Sequence, residues 1–286
     1  MKNPILGDTA SSAVSASFVN RNSYATFACF GIYANLFMFH KSISTGSSDH
    51  HPSLSQLRVF LENLFAAAWV YLFGALLGLG ALLLSLSRAG VMAGLLGLLV
   101  FMALIKHRAT LKRAFFLVVA LVLVPLLLVV SGGVLDRIAQ TDGSDLRLQV
   151  YRTMIEQLPE TWLTGHGLGA FRDSFAAYLP PQAAAAQWSY AHNSYLENLW
   201  ELGLPAAFCL YLALILVLWP IAGHAARHEK GKTYAVMALA CSVAAGLHAL
   251  FDFSMQMPAI AALFAFILGM GWAQSTGHTA QRSGVI

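Results

Sequence analysis

A polar block at 190–205, YAHNSYLENLWELGLP, carries the densest group of side chains in this chain that could do chemistry. His192 offers an imidazole, which can accept and release a proton near neutral pH and therefore suits a general base. Asn193, Glu197 and Glu201 are spaced by four, so a helix would place them on one face. Taken alone, His192 is also compatible with a structural histidine. The acidic face is typical of a solvated surface or of packing against another polar element.

A group of arginines could bind an anion. Arg88 follows SLS in a short turn, Arg147 and Arg152 lie in DLRLQVYRTMIEQL, and Arg21 stands between two asparagines. A guanidinium binds phosphate oxygens in bidentate fashion and keeps its charge, and these arginines outnumber the acidic partners available to them. Other roles are open: Arg21 could snorkel beside a helix, Arg88 could cap the preceding helix, and Arg147 and Arg152 could form a solvated face.

Two further patterns have less specific meanings. His248 and Asp252 are four residues apart and could pair as a structural clamp. GHGLG at 165–169 is a weak nucleotide-binding pattern because no strand precedes it. The sequence contains no DxD, HExxH, CxxC or Walker motif, so we predict no metal site and no cofactor.

Composition decides which elements must position these residues. The 286 residues are 58% hydrophobic and 10% charged, with a mean hydropathy of +0.65, which points to an integral membrane protein. A pI near 9.0 would suggest nucleic acid in a soluble protein, but here short basic loops explain it through the positive-inside rule. We therefore predict contact with membrane lipid and no nucleic-acid partner. The three cysteines lie in apolar runs and are typical of small buried hydrophobic residues.

Seven apolar runs predict an all-α, polytopic membrane helix bundle, which we treat as a single domain over residues 1–286. The runs lie at about 23–40, 63–86, 89–105, 114–131, 203–223, 234–251 and 258–275. The basic turns at 106–113 and 224–233 should be cytoplasmic. Alternation then places 132–202 outside as one long periplasmic loop, together with the turns that carry Arg88 and Asp252.

The predicted periplasmic loop contains an amphipathic helix at 145–158. One stripe is polar: Asp145, Gln149, Arg152 and Glu156. Another face is apolar: Leu148, Tyr151, Ile155 and Leu158. Such a helix would lie on the membrane or across the bundle. The outer arginines face the side that the positive-inside rule disfavours, so topology does not account for them.

Five stretches, taken in order, resemble the O-antigen ligase and O-antigen polymerase family of bacterial membrane glycosyltransferases. They are SFVNRNSYATF (17–27), LSLSRAGVMAGLLG (84–97), DLRLQVYRTMIEQLPETWLTGHGLGAF (145–171), AHNSYLENLWELGLPAAF (191–208) and HALFDFSMQMPA (248–259). The sequence departs from the family in lacking about five N-terminal helices. The layout itself, which begins outside without a preceding helix, leads to the same expectation that this is the C-terminal part of a longer design.

The resemblance implies transfer of a glycan from a polyprenyl diphosphate carrier to an acceptor hydroxyl, at the periplasmic face of the bacterial inner membrane. It assigns the diphosphate to Arg88 and Arg147, with Arg152 as a weaker third candidate. His192 would orient or deprotonate the acceptor, making the enzyme an inverting, metal-independent glycosyltransferase. Supporting roles fall to Asn20, Arg21, Asn193, Glu197, His248 and Asp252.

Other functions remain open at this point. A truncated relative could bind the lipid carrier or scaffold glycan assembly without catalysis. A glycan polymerase or a protein O-oligosaccharyltransferase would share the same motifs, so the acceptor is undetermined: lipid A-core, a growing glycan or a protein. A transporter is disfavoured because the polar residues gather at one predicted face, whereas transporter sites lie near the midplane.

Overall fold

The computed structural model describes residues 14–44, 62, 64–105, 144–183, 188–227 and 232–282. This part of the chain is all-helical, which confirms the predicted class. The helices are α1 (Arg21–Ser44), α2 (Trp69–Leu84), α3 (Arg88–Leu104), α4 (Ser144–Thr161), α5 (Phe171–Phe175), α6 (Ser194–Ala226), α7 (Thr233–His248) and α8 (Pro258–Arg282). A π-helical segment precedes α2 at Leu64–Ala68. Short 3-10 turns occupy Ala176–Tyr178, Pro181–Ala183 and Ser254–Gln256.

Six of the predicted apolar runs coincide with described helices, whereas the run at 114–131 lies outside the described residues. Among the helices that the structure describes, two are long and apolar enough to cross a membrane: Ser194–Ala226 and Pro258–Gly277. The apolar helices α2, α3 and α7 have 16 or 17 residues, a rise of about 25 Å against a hydrocarbon core of about 30 Å. Seven membrane crossings therefore remain a prediction.

The chain divides into two compact units. The first contains Met1–Ile105, Val217–His248 and Ser254–Ile286. The second contains Lys106–Leu216 and Ala249–Phe253, so it includes α4, α5 and the beginning of α6.

The first unit is built around α7, which packs against α1, α3 and α8. The buried residues of α7 are mostly alanines, and small side chains let helix backbones approach closely. A polar contact joins α1 to α7: the Thr26 hydroxyl lies 2.6 Å from Nδ1 of His248, and both side chains are buried. In an apolar interior such a contact satisfies groups that would otherwise be costly to bury.

The second unit has its own apolar core. Val150 and Met154 of α4 are fully buried against Phe171, Phe175 and Trp200. The indole N–H of Trp200 finds a partner by donating to the Ser174 hydroxyl at 2.8 Å. This core ties the loop helix α4 to the start of α6.

The helix at α4 is confirmed, but the packed face differs from the predicted apolar face. Leu148 and Ile155 are 63% and 58% exposed, whereas Val150 and Met154 are 0% exposed. The helix therefore has two apolar faces, and only one of them serves the core.

Helix α6 contains both the apolar run at 203–223 and the polar block before it, and the four-residue spacing of Glu197 and Glu201 had already predicted a helix there. The helix begins at Ser194, and Gly203 interrupts it with φ 71° and ψ 169°. At this break the N–H of Leu204 donates to the Trp162 carbonyl at 2.6 Å instead of to its own helix. The apolar run at 203–223 thus marks a kink within the helix. The polar block is helical because Asn193 caps it and because the surrounding unit buries its carboxylates.

Candidate functional site

His192 sits immediately before α6 in a left-handed backbone conformation, with φ 60°. A residue with a side chain pays about 1–3 kcal/mol for such a conformation and keeps it only where its surroundings impose it. Here the hydroxyl of Tyr151 donates to the His192 carbonyl at 2.8 Å. The ring makes edge contacts with Trp188 and Phe253. The backbone and ring of His192 are therefore held from several sides.

One nitrogen of this imidazole faces a buried acid. Nδ1 of His192 lies 3.9 Å from Oδ1 of Asp252, with side-chain exposures of 27% and 0%. Nδ1 is buried and makes no hydrogen bond to any residue that the structure describes. The separation is longer than a hydrogen bond, although catalytic contacts are often long before substrate binds. The backbone of Asp252 is fixed, because its carbonyl accepts from the Ser194 hydroxyl at 2.7 Å.

Glu197 supports the segment that carries His192. Its side chain is 1% exposed, and its Oε2 accepts the N–H of Ala191 at 2.7 Å. A carboxylate that accepts a backbone N–H in a buried site makes a strong, charge-assisted hydrogen bond. The acidic face of the polar block therefore packs against other polar groups and is not solvated.

Glu201 holds the glycine-rich turn in the same way. Its two carboxylate oxygens accept the N–H groups of Gly169 at 2.9 Å and Phe171 at 3.0 Å. The N–H of His166 donates to the Trp200 carbonyl, and that of Gly167 to the Glu201 carbonyl. These N–H groups are thus already paired within the protein. We call this contact of Glu201 and Trp200 with the turn at 165–171 the clasp. Because its N–H groups are paired with α6, they do not face a phosphate, and this argues against nucleotide binding at GHGLG.

Tyr151 is the residue around which the predicted site residues of the second unit gather. Burial raises the pKa of its phenol, the positive charge of Arg147 opposes the rise, and the carboxylates of Asp252 and Glu197 add to it. Arg147, Glu197 and Asp252 are therefore within electrostatic range of the hydroxyl that holds His192. Tyr151 falls on the predicted apolar face of this helix, so its role in holding His192 was not predicted from the sequence. The one feature of the sequence that could have indicated it is that Tyr151 lies on the same predicted helix as Arg147 and Arg152.

The two arginines of α4 have different surroundings. Arg147 is half-buried. Arg152 is 81% exposed and pairs with Glu156, with Nε 2.8 Å from Oε1. An exposed pair of this kind contributes about 0–1 kcal/mol, so a stronger anion could displace Glu156 at little cost.

Arg88 lies in the first unit, exposed, as the first residue of α3. Ser87 caps this helix by accepting the N–H of Gly90 at 3.2 Å. A cation at the N-terminal end of a helix opposes the helix dipole. At the end of α2, the N–H of Ser85 donates to the Ala81 carbonyl. Helix stability therefore does not explain Arg88.

Two predicted supporting asparagines are helix caps. Asn20 accepts the N–H of Asn22 at 2.8 Å before α1. Asn193 accepts the N–H groups of Tyr195 and Leu196, both at 3.1 Å, before α6. Each cap is worth about 1 kcal/mol of stability. Arg21 is exposed at the first position of α1.

His248 belongs to the first unit, where it contacts Thr26 as described above. Helix α7 ends at His248, so Asp252 lies beyond it. The helical spacing on which the expected His248–Asp252 clamp depended is therefore not present. Asp252 lies in the second unit, with His192.

In the described ranges, no group of three or more His, Cys, Asp or Glu side chains is placed to hold a metal ion. The comparisons with known proteins add one positive finding. The sequence profile of a protein family described as O-antigen ligase matches residues 73–211. No curated protein matches the chain. The matched region includes Arg88, Arg147, Arg152 and His192, whereas Asp252 falls beyond it.

Proposed function

From the match of residues 73–211 to the O-antigen ligase family, a region that contains three of the five stretches, we propose a specific reaction. The chain transfers a glycan from a polyprenyl diphosphate carrier to an acceptor hydroxyl at the periplasmic face of the bacterial inner membrane. The family match supports glycan transfer of the ligase or polymerase type. The donor, the acceptor and the face are our proposal.

The observation that carries the proposal is the constrained His192. It has a left-handed backbone, a carbonyl bonded to Tyr151 and a ring nitrogen facing the buried Asp252. Backbone strain of this kind concentrates at functional sites.

His192 acts as the general base. The carboxylate of Asp252 favours the tautomer with a proton on Nδ1, which leaves Nε2 free to take the acceptor's proton. The acceptor oxygen then attacks the anomeric carbon, and the bond from that carbon to the diphosphate oxygen breaks. The diphosphate leaves with the electron pair. Attack opposite the leaving group inverts the configuration without a covalent intermediate.

Arginines neutralise the charge that develops on the diphosphate. Arg147 is the best placed of them in the second unit, since it is half-buried and acts on the same phenol that bonds to His192. Arg152 is a weaker candidate because Glu156 already pairs with it. Arg88 is kept as a diphosphate ligand on the resemblance of its turn and on its unfavourable place at a helix N-terminus.

The test is complementation in a bacterial strain deleted for its own O-antigen ligase. The chain and its His192→Ala and Arg147→Ala variants are expressed, and the lipopolysaccharide is resolved on a gel. His166→Ala is the matched control, because this histidine of the second unit stacks on Trp200 and the proposal gives it no part in the reaction. Membrane levels are compared by immunoblot.

A restored ladder that is lost with His192→Ala and Arg147→Ala, but kept with His166→Ala, supports the proposal. No ladder with the wild-type chain, at normal membrane levels, contradicts ligase activity for that donor and acceptor. Incubating the purified chain with a lipid-linked glycan alone then tests the polymerase alternative. Binding of that lipid without any product would favour the non-catalytic relative.

A further inference from the structure

The outer face of α4 carries a line of apolar side chains that the core of the second unit does not use. Leu148, Ile155 and Trp162 are 63%, 58% and 46% exposed. Leu148 and Ile155 are seven residues apart, which is close to two helical turns, so they fall on one line along α4. Trp162 follows in the turn just beyond the end of this helix. The buried line that includes Val150 and Met154 lies on another side.

This apolar line ends where an apolar helix begins. The Trp162 carbonyl accepts the N–H of Leu204, the first residue after the kink in α6. Leu204 and Phe208 are 51% and 63% exposed, and α6 is one of the two described helices that can cross a membrane. Trp162 therefore lies at the level where α6 passes from its polar start into its apolar part. Tryptophan is enriched at that level because its ring is apolar and its N–H is polar.

Two more exposed residues extend the surface. Leu163 follows Trp162 and is 54% exposed, and Leu168, in the glycine-rich turn, is 79% exposed. The clasp from Glu201 and the backbone bonds of the turn hold Leu168 beside the same part of α6. The exposed apolar surface thus continues around the helix break within one unit.

We propose that α4 lies in the membrane interface, with Leu148, Ile155 and Trp162 seated at the boundary between headgroups and acyl chains. The partner is the lipid surface of the leaflet that α6 enters. Continuity with the apolar part of α6 selects lipid over a protein partner. The charged pair of Arg152 and Glu156 lies beside the apolar line, as on other helices that rest in an interface.

The placement sets the height of His192. Tyr151 stands on the flank of α4 and bonds to the His192 carbonyl. An α4 fixed by lipid therefore holds His192 at a constant distance from the membrane surface. This consequence does not require the proposed reaction, since it depends only on the described contacts.

Spin labels test the placement in the chain of 286 residues. The native Cys29, Cys209 and Cys241 are first replaced by alanine. The chain is reconstituted in nanodiscs of phosphatidylethanolamine and phosphatidylglycerol. Single labels are introduced through Leu148→Cys and Ile155→Cys.

Two further labels serve as references for lipid and for water. Phe208→Cys on the apolar part of α6 is the lipid reference, and Glu160→Cys on the exposed polar side of α4 is the water reference. At each position, the rate at which the spin label collides with oxygen is compared with the rate at which it collides with a nickel chelate. Oxygen concentrates in lipid, whereas the chelate stays in water. We expect oxygen to dominate at Leu148 and Ile155, as at Phe208, and nickel to dominate at Glu160. Nickel-dominated collision at Leu148 and Ile155 would overturn the proposal. Low accessibility to both agents would also overturn it, because it would mean that protein covers this face.

A second measurement keeps the native cysteines. Lipids brominated near the headgroup quench tryptophan fluorescence at that depth. The difference between the wild-type chain and Trp162→Phe isolates the contribution of Trp162. We expect that contribution to be quenched by these lipids. A Trp162 contribution insensitive to brominated lipid but quenched by aqueous iodide would contradict the placement.

Discussion

Replacing Tyr151 by phenylalanine removes one hydroxyl and leaves the ring. That hydroxyl donates to the His192 carbonyl at 2.8 Å and holds the left-handed backbone of His192. Because burial raises the pKa of Tyr151, the phenol stays protonated and can donate throughout the neutral range. The substitution therefore tests whether the constraint on His192 matters, while the imidazole itself is unchanged.

The expected magnitude follows from the single bond that is lost. A neutral hydrogen bond contributes about 0.5–1.5 kcal/mol net. The left-handed conformation opposes it, so loss of the bond shifts His192 toward ordinary backbone angles. A loss of about 1 kcal/mol changes the ratio of held to relaxed conformer about fivefold, since about 1.4 kcal/mol is tenfold. If only the held conformer reacts, the rate falls by up to about fivefold.

Initial rates of transfer by the purified chain measure this effect. We expect kcat to fall by up to about fivefold, with KM for the lipid donor little changed, because no group that binds the donor is altered. Tyr178→Phe is the matched control. Its ring also packs on the second-unit core, and its hydroxyl makes no hydrogen bond to the residues that the structure describes.

An unchanged kcat in Tyr151→Phe would refute the argument that the backbone of His192 is held for catalysis. An equal loss in Tyr178→Phe would attribute the effect to general packing. A companion stability measurement separates strain from chemistry. Glycine adopts positive φ freely, so the free energy of unfolding of His192→Gly should exceed that of His192→Ala by about 1 kcal/mol. His192→Gly should therefore unfold at a higher temperature, although both variants are inactive.

Three further predictions concern charged residues. Arg147→Gln should lower transfer far more than Arg152→Gln, because Arg152 already pairs with Glu156; equal losses in a side-by-side rate assay would contradict the distinction. Asp252→Asn should lower kcat at least tenfold and leave folding intact, because it removes the charge beside Nδ1 of His192; a wild-type kcat would remove Asp252 from the site. Glu201→Ala should cost about 3 kcal/mol of stability by leaving two backbone N–H groups without acceptors, and Glu201→Gln should cost less; equal melting temperatures in a thermal-shift assay would show that the clasp contributes nothing.

The fold was predictable where apolar runs are long and uninterrupted. The runs at 234–251 and 258–275 coincide closely with described helices, because an apolar run in lipid must form internal hydrogen bonds. The start of α6 was not predictable from hydropathy. Its first turns are polar yet helical, since Asn193 caps them and a tertiary core buries their carboxylates.

The site was predictable as a set of residue types but not as an arrangement. The spacing of Glu197 and Glu201 correctly places them on one helix face, yet only the structure shows that both accept backbone N–H groups from other segments. The role of Tyr151 depends on a contact over 41 positions in the chain, which periodicity cannot reveal. For the same reason, the contact of His248 with Thr26, 222 positions away in the chain, could not be predicted.

The break in α6 has a consequence for how this chain tolerates mutation. A side chain at Gly203 would lie 2.7 Å from the Leu163 carbonyl oxygen, and a side chain at Gly165 would collide with the backbone of Glu201 and Gly203. Each glycine is thus required by the backbone that the other brings close. In a saturation library, the two positions should reject nearly every replacement and should not rescue each other. Sequence changes in the glycine-rich turn and in the start of α6 should therefore be coupled. A chimera between homologous chains should fold only when both segments come from the same parent.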